Sequence, residues 1–391
     1  MKIKALTSAA VAAVILFSAA HAPYSAYGAT ASVDDIAVSQ EYTAASRDEA
    51  AAAMRGHLKN RDTSFTVDAP TEGYPLKEMG SRMMYQACDE TGVGTEGDYL
   101  RFAIKSFRCT ARSSGGMCRL EYEVNYYTTA EEEARLTEEI NGIISSLDLD
   151  GLSDFAKVSV LYRYVAENVN YSDDLNDPYV YSAYNAVFDH HAVCQGVTQL
   201  LYRLFNDCGI SCRIIAGISR DIRGINPDGY HVWLIVRLDD KYYLMDPTWD
   251  MKFNGRTYYY FLKGSTDFDS DISVLTHIPQ NDNGLSFPDY NSEEFSSKYP
   301  VSSTMYPEPG RELGNINGDD RIDAIDASLI LMEYARTSGS RLASFTPVQI
   351  SGADVNRDGS VNAVDASTVL GYYAATSSGR DITLAAYLKS H

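Results

Sequence analysis

"HHAVCQGVTQLLYRLFNDCG", residues 190–209, decides how the rest of the chain is read. Val197, Leu200, Leu201, Leu204 and Phe205 recur at the i, i+3, i+4, i+7, i+8 spacing of one apolar helix stripe, and Gly209 supplies the stop. Cys194 lies three residues before Val197, so the inward side of the helix carries a thiol into its first turn. Unpaired N–H groups and the helix dipole at that end favour an anion. A thiolate placed there has its pKa drawn from about 8.5 to roughly 3.5–7.5, above all beside a histidine. The same N–H groups suit an oxyanion formed by attack on a carbonyl. Gln195 and Gly196 leave the backbone accessible.

Downstream, "GYHVWLIVRLDDKYYLMDPTWD" (229–250) reads as two strands about an Asp239–Asp240 turn. Counting out from Leu238–Lys241 pairs Trp233 with Asp246. His231 then shares the face of Trp233 and is a diagonal neighbour of Asp246, about 7–8 Å away at Cα. A slip of one residue would put the two on opposite faces. Pro247 removes a donor and ends the ladder. Cys194 would attack, His231 would take and return the proton, and Asp246 would fix the imidazole tautomer. Each alone has a plainer reading: a core thiol, a structural histidine, a turn aspartate. The coincidence of the three points to a nucleophile. His190 and His191, adjacent on one segment, suit a solvated or packing role better than a metal pair.

"AVCQGVTQLLYRLFNDCGISCRIIAG", "YHVWLIV" and "YYLMDPTWD", with "LYRYVAENVNYSDD" upstream and "TYYYFLKGSTDF…THIP" downstream, resemble the transglutaminase-like core of bacterial secreted proteins over about residues 150–290. The resemblance implies a papain-like logic, with cysteine, histidine and aspartate in this chain order at Cys194, His231 and Asp246. It implies acyl transfer from an amide through a thioester, resolved by water (peptidase, amidase) or by an amine (cross-linker). Gln195 and Tyr184 are the candidate oxyanion or pocket residues, and no cofactor is expected for the chemistry.

Around this core, "SDFAKVSVLYRYVAENV" reads as a helix with a Ser-Asp start, and strands are expected near 211–218, 230–238, 241–247 and 257–263. Residues 29–150 read as an α/β region without recognisable chemistry, suited to packing or substrate-shaping. It comprises a helix at "SRDEAAAAMRGHLKN", a strand at "TSFTVDA", a hairpin at "LRFAIKSFRC…CRLEYEVNYY" and a charged helix at "AEEEARLTEEINGIISSL". Residues 291–311, rich in Ser, Pro and Glu, have linker composition. At 391 residues the chain suits two or three domains. Residues 1–28 read as a secretory signal, and no later segment is apolar enough to span a membrane. A formal charge of −20 argues against nucleic acid or anionic membrane as partners. In an oxidising compartment some of the six cysteines could pair; Cys109 and Cys118 flank an expected hairpin tip and could close it.

The C-terminal piece, 312–391, holds a gapless repeat: "NINGDDRIDAID" (315–326) and "DVNRDGSVNAVD" (354–365), 39 residues apart. Oxygen-bearing side chains fall at loop positions 1, 3, 5, 9 and 12, the spacing with which hard oxygens wrap Ca²⁺. The ligands would be Asn315, Asn317, Asp319, Asp326 and the Arg321 carbonyl in one loop, with Asp323 acting through water. In the other they would be Asp354, Asn356, Asp358, Asp365 and the Ser360 carbonyl, with Asn362 through water. Asp320 stands where Gly359 sits at position 6, and Asn315 lowers the charge of position 1, so the first loop is expected to bind more weakly. The loop–helix duplication resembles a type I-like dockerin, which implies docking to a cohesin on a scaffoldin. By that resemblance Ala324, Ile325, Ala363 and Val364 touch the cohesin.

The fold expected is therefore α+β: a papain/transglutaminase-like core at 151–290, an N-terminal α/β region and a small all-α calcium-binding dockerin. The function expected is that of a secreted, cellulosome-associated cysteine enzyme acting on protein or peptide amides within a polysaccharide-degrading complex. Hydrolysis comes first, transglutamination second and a non-catalytic binding module third.

Overall fold

The computed structural model describes residues 28–31, 46–71, 74–225, 228–251, 258–269, 275–280, 289–307, 309–310 and 312–390. All but the last residue of the expected signal segment lie outside them. Among the described residues no helix is long and apolar enough to cross a membrane.

The N-terminal sheet runs β1-β3-β4-β2, from β1 (Gly28–Ala31), β2 (Ser64–Pro70), β3 (Ile104–Ser114) and β4 (Met117–Tyr126). Helices α1 (Arg47–Lys59) and α2 (Leu76–Ala87) share a core with it, in which Met54, Leu58, Met79 and Met83 meet Leu120 and Tyr122. Two expectations change here. "LRF" belongs to helix α3 (Asp98–Ala103), not to the hairpin, because buried Asp98 binds the Arg213 guanidinium at 2.7 and 3.0 Å and the Ile214 N–H at 2.8 Å. The hairpin also turns at Gly115–Gly116, so Cys109 opposes Tyr122 and Cys118 opposes Ser113. That register keeps the two thiols from closing the tip, and all six cysteines are free.

The central unit is a helix-covered antiparallel sheet. It begins with α4 (Ala130–Leu147), held by a Thr129/Glu132 capping box, and α5 (Asp154–Asn168), capped by Ser153. After β5 (Asn170–Tyr171), α6 (Ala183–Phe188) and β6 (His191–Ala192) comes α7 (Cys194–Asp207), buried from Cys194 to Asn206. Strands β7 (Cys212–Asp221), β8 (Gly229–Leu238) and β9 (Lys241–Met245) follow, then the single-turn helix α8 (Pro247–Asp250) and β10 (Leu275–Pro279). The sheet order is β10-β7-β8-β9. Leu200, Leu201, Leu204 and Phe205 of α7 pack into one core with Ile214, Trp233 and Ile235 of the sheet. Tyr99, Phe102, Leu136 and Ile140 join that core, so α3 and α4 belong to the central unit and it starts well before residue 151.

The strand expected at 257–263 is reduced to one bridge, Leu244 to Lys263. The Tyr259 and Tyr260 N–H groups donate to the Asp250 carboxylate instead of to a neighbouring strand. Strand β10 was not expected. It can lie on β7 because Gly217 has no side chain: a Cβ there would strike the Ile278 carbonyl and come within 2.9 Å of the Trp233 ring.

The segment expected as a linker is packed. Its helix α9 (Glu293–Lys298) sits beside Tyr290 and Tyr299 in the central core, and Val301 bridges Tyr242 of β9. The C-terminal region is helical: α10 (Ala324–Ser338), α11 (Pro347–Ala353), α12 (Ala363–Ser377) and α13 (Leu384–Ser390), around Ile316, Ile330, Val355 and Val369. Among the described residues it meets the central unit through three guanidinium groups, one of them Arg341 on the Asp148 carboxylate. Arg163 of α5 donates to the Ala343 and Phe345 carbonyls at 2.7 and 2.5 Å. Arg336 of α10 donates to the Asp148 carbonyl at 2.5 Å and to the Leu147 carbonyl.

Candidate active site

Cys194 is the first residue of α7, and Val193 before it offers no side-chain cap to the start of the helix. The N–H groups of that turn are therefore left for another acceptor. One turn further along the same face of α7, the Thr198 hydroxyl donates to the Val232 carbonyl at 3.3 Å, fixing the helix against β8. His231 precedes that carbonyl in β8, and its ring lies against Trp249, 4.9 Å between centroids and 16° from parallel. Cys194 is 6% exposed and His231 5%, so the pair sits just under the surface.

The β8–β9 ladder pairs Leu238 with Lys241 and Leu234 with Met245. Asp246 leaves β9 one residue later and becomes the N-cap of α8, its Oδ1 accepting the Trp249 N–H at 3.1 Å. Its Oδ2 lies 2.7 Å from His231 Nε2. Burial works against the His231 imidazolium, but Asp246 and a hydrogen bond with the Cys194 thiol outweigh it and raise the pKa above the ordinary value. An anionic Asp246 keeps the proton on Nε2 and leaves Nδ1 to the thiol. Asp246 is buried too; the two imidazoles on it hold its carboxyl well below the usual range despite that burial. The structure thus brings Cys194, His231 and Asp246 together.

A third group on Asp246 was missed. His277 of β10 places Nε2 3.1 Å from the same Oδ2 and Nδ1 2.7 Å from Asp269 Oδ1. His231, Asp246 and His277 offer ligand atoms within 4.8 Å of one another. The two imidazoles nevertheless point at one carboxylate oxygen with hydrogen-bond spacing. The sequence signal was "THIP" in the quoted pattern, but nothing in it tied that histidine to Asp246. Tyr171 and Tyr181 were also unmarked. Burial and the neighbouring thiol raise both phenol pKa values, and Tyr181 stacks on Tyr127 at 5.5 Å, so an aromatic group stands beside the sulfur.

The side chains of the two candidate pocket residues are engaged with other partners. Gln195 is buried, and its amide nitrogen donates to the Phe102 and Tyr181 carbonyls at 2.9 and 3.0 Å, which commits it to joining α3 and α7. The Tyr184 hydroxyl accepts from Arg135 of α4 at 2.8 Å, and its ring packs on Phe188. The uncapped N–H groups at the start of α7 carry no such commitment to a side chain. His190 and His191 are exposed, the latter bonding the Asp189 carbonyl at 2.8 Å.

The duplicated loops fold alike. Asp326 Oδ1 accepts the Ile316 and Asn317 N–H groups at 2.7 and 3.2 Å; Asp365 Oδ1 accepts those of Val355 and Asn356 at 2.8 and 3.1 Å. Asp323 and Asn362 cap the helices that follow. Gly359 sits at φ +87°, whereas Asp320 does not enter the left-handed region, so the first loop takes a different path at position 6. Six of the eight exposed large apolar side chains described in this region form pairs 39 residues apart, Ile325 with Val364, Leu331 with Leu370 and Tyr334 with Tyr373; Met332 and Ile350 stand outside the pattern.

Fold and site together define a class: an α+β protein with a thiol at a buried helix N-terminus, facing a strand histidine backed by a carboxylate. Comparison with known families specifies it. The transglutaminase-like superfamily matches residues 144–247, and the dockerin type I domain matches 313–372. The chain carries a transglutaminase-like core followed by a C-terminal type I dockerin region. Among solved structures it is similar to a TGase, with 16% identity over 43% of this chain and 57% of that one and a TM-score of 0.27. It is also similar to a cysteine protease candidate from Cytophaga hutchinsonii, with 13% identity over 43% of this chain and 64% of that one and a TM-score of 0.26. The chain thus spans about three-fifths of the length of these structures. No curated protein matches it.

Proposed function

We propose that this is a cysteine enzyme that cleaves amide bonds, exported and carried on a cellulosome-type scaffold. The observation that carries the reading is the continuous line from the Asp246 carboxylate through His231 to the Cys194 thiol at the α7 N-terminus. The thiolate attacks the amide carbonyl, and the α7 N–H groups receive the oxyanion. The His231 imidazolium gives its proton to the leaving amine, and a thioester remains. Water then attacks with His231 as base, returning the free thiol and a carboxylic acid. Asp246 stabilises the imidazolium in both halves.

The dockerin-like region supplies the attachment. Its two loops present carboxylate, amide and main-chain oxygens, the donor set of Ca²⁺, and the parallel hydrogen bonds in the two loops fit one role for both. Asn315, Asn317, Asp319, Asp326 and the Arg321 carbonyl would hold one ion, and Asp354, Asn356, Asp358, Asp365 and the Ser360 carbonyl the other. Ile325 and Val364, each 56% exposed, with Ala324 and Ala363 beside them, are offered to a cohesin.

The deciding experiment is mass spectrometry of a mixed protein substrate incubated with the full chain and an amine donor, with Cys194→Ala as control. Cleaved or deamidated peptides absent from the control support hydrolysis. Amine-tagged glutamines make the protein a transferase instead. Identical products with Cys194→Ala overturn the cysteine mechanism.

A further inference from the structure

We infer that His277 is a positioning residue: held between Asp246 and Asp269 as an imidazolium, it locks the Asp246 carboxylate and limits how strongly that carboxylate raises the basicity of His231. The inference rests on the cysteine–histidine–aspartate reading above.

Both ring nitrogens of His277 face carboxylate oxygens, Asp246 Oδ2 at 3.1 Å and Asp269 Oδ1 at 2.7 Å. A neutral imidazole has one N–H and one lone pair. In either tautomer the lone pair would point at an anionic oxygen, so this geometry suits only the doubly protonated ring. Asp269 is itself held in place, its Oδ2 accepting the His277 backbone N–H at 3.0 Å.

The surroundings suit a buried cation. Phe268 stacks on the ring at 4.2 Å, Trp249 lies at 4.1 Å, and Trp233 meets it edge-on at 4.9 Å. Aromatic faces attract a desolvated cation. The charged and titratable groups around it come from each neighbouring element. His231 lies on β8, its ring 5.4 Å away; Asp246 stands between β9 and α8; Tyr260, its ring 5.8 Å away, and Asp269 lie between α8 and β10. On β7 the residue opposite is Ser219, which carries no charge. Burial, with the nearby Asp246 anion, pushes the Asp250 carboxyl of α8 up to about 7. Burial opposes the charged form of His277 as well, but the two carboxylates raise its pKa.

The consequence for His231 has a definite sign. Asp246 divides its Oδ2 between two donors, one of them the His277 imidazolium. Removing that cation leaves the anion to His231 alone and stabilises the His231 imidazolium, so its deprotonation moves to higher pH. Removing the second donor also lets the carboxylate rotate, which lowers the rate of the chemical step.

The test uses the full chain and two readouts. Ring ¹⁵N NMR should show His277 doubly protonated at pH 8, and neutral at that pH in Asp269→Asn. The pH profile of Cys194 alkylation by iodoacetamide should carry an alkaline limb set by His231, and His277→Gln should move that limb up by about half a pH unit or more. A melting curve checks that each variant is folded, and His277→Asn is the second choice if the glutamine variant is not. A neutral His277 in the wild-type chain, or an unmoved limb in a folded variant, overturns the inference. If alkylation is indifferent to His231→Ala while His277 is doubly protonated, the cysteine mechanism itself has failed, and the positioning role falls with it.

Discussion

Asp246 does three things with two oxygens. It caps α8, orients His231 and receives His277. Exchange for asparagine keeps the shape and replaces an anionic acceptor with an amide, so the preferred His231 tautomer is lost. Asp246→Asn should lower the turnover of an amide substrate by on the order of 10³–10⁴-fold with the fold intact, as an Asp→Asn change does in a serine protease triad. A loss under tenfold in steady-state kinetics would show that Asp246 is structural only. At this scale the sequence was informative where partners were close along the chain. Cys194 announced itself by its place on an apolar helix, and His231 and Asp246 by one hairpin count. His277 was hidden because its strand joins the far edge of the sheet, next to β7, and its tie to Asp246 crosses between elements. Gln195 misled for a related reason: its neighbours Phe102 and Tyr181 are remote in sequence.

Helices α4, α5 and α7 were legible because their ends are written locally. Thr129 and Ser153 cap the first two, and Gly209 at φ +76° follows the third. What failed were segments whose hydrogen bonds are settled by distant side chains. The stretch expected as a strand at 257–263 is diverted by Asp250, which accepts from Tyr259 and Tyr260 and from the Tyr162 hydroxyl at 2.6 Å. Tyr162 of α5 is fully buried, so its hydroxyl ties α5 to α8 through a carboxyl that burial already disfavours as an anion. Tyr162→Phe should cost about 1–3 kcal/mol of stability, read as a shift in denaturant midpoint. A variant as stable as the wild-type chain would show that Asp250 holds α8 without this bond.

The whole molecule is joined more closely than its composition suggests. The repeat made the C-terminal region readable, and the family models confirm a transglutaminase-like core and a type I dockerin region on one chain. Composition failed at 291–311, where scattered aromatic residues outweigh Ser and Pro: Phe295, Tyr299 and Tyr306 pack on the central core. If the duplicated loops hold Ca²⁺, chelator should lower or remove the melting transition of residues 312–391 while the central unit melts as before. A calorimetric trace unchanged by chelator would refute the calcium assignment.

Strand β9 is the last in its sheet, and such strands invite another chain to pair with them. Here the Tyr242 N–H donates to the Pro300 carbonyl and its carbonyl accepts from Ser302, while Leu244 exchanges both bonds with Lys263. Those outward-facing groups are spent within the molecule. Wherever chains crowd together, an open strand becomes a zipper between neighbours. Along β9 that margin is already hemmed, so neighbouring copies cannot be stitched together there.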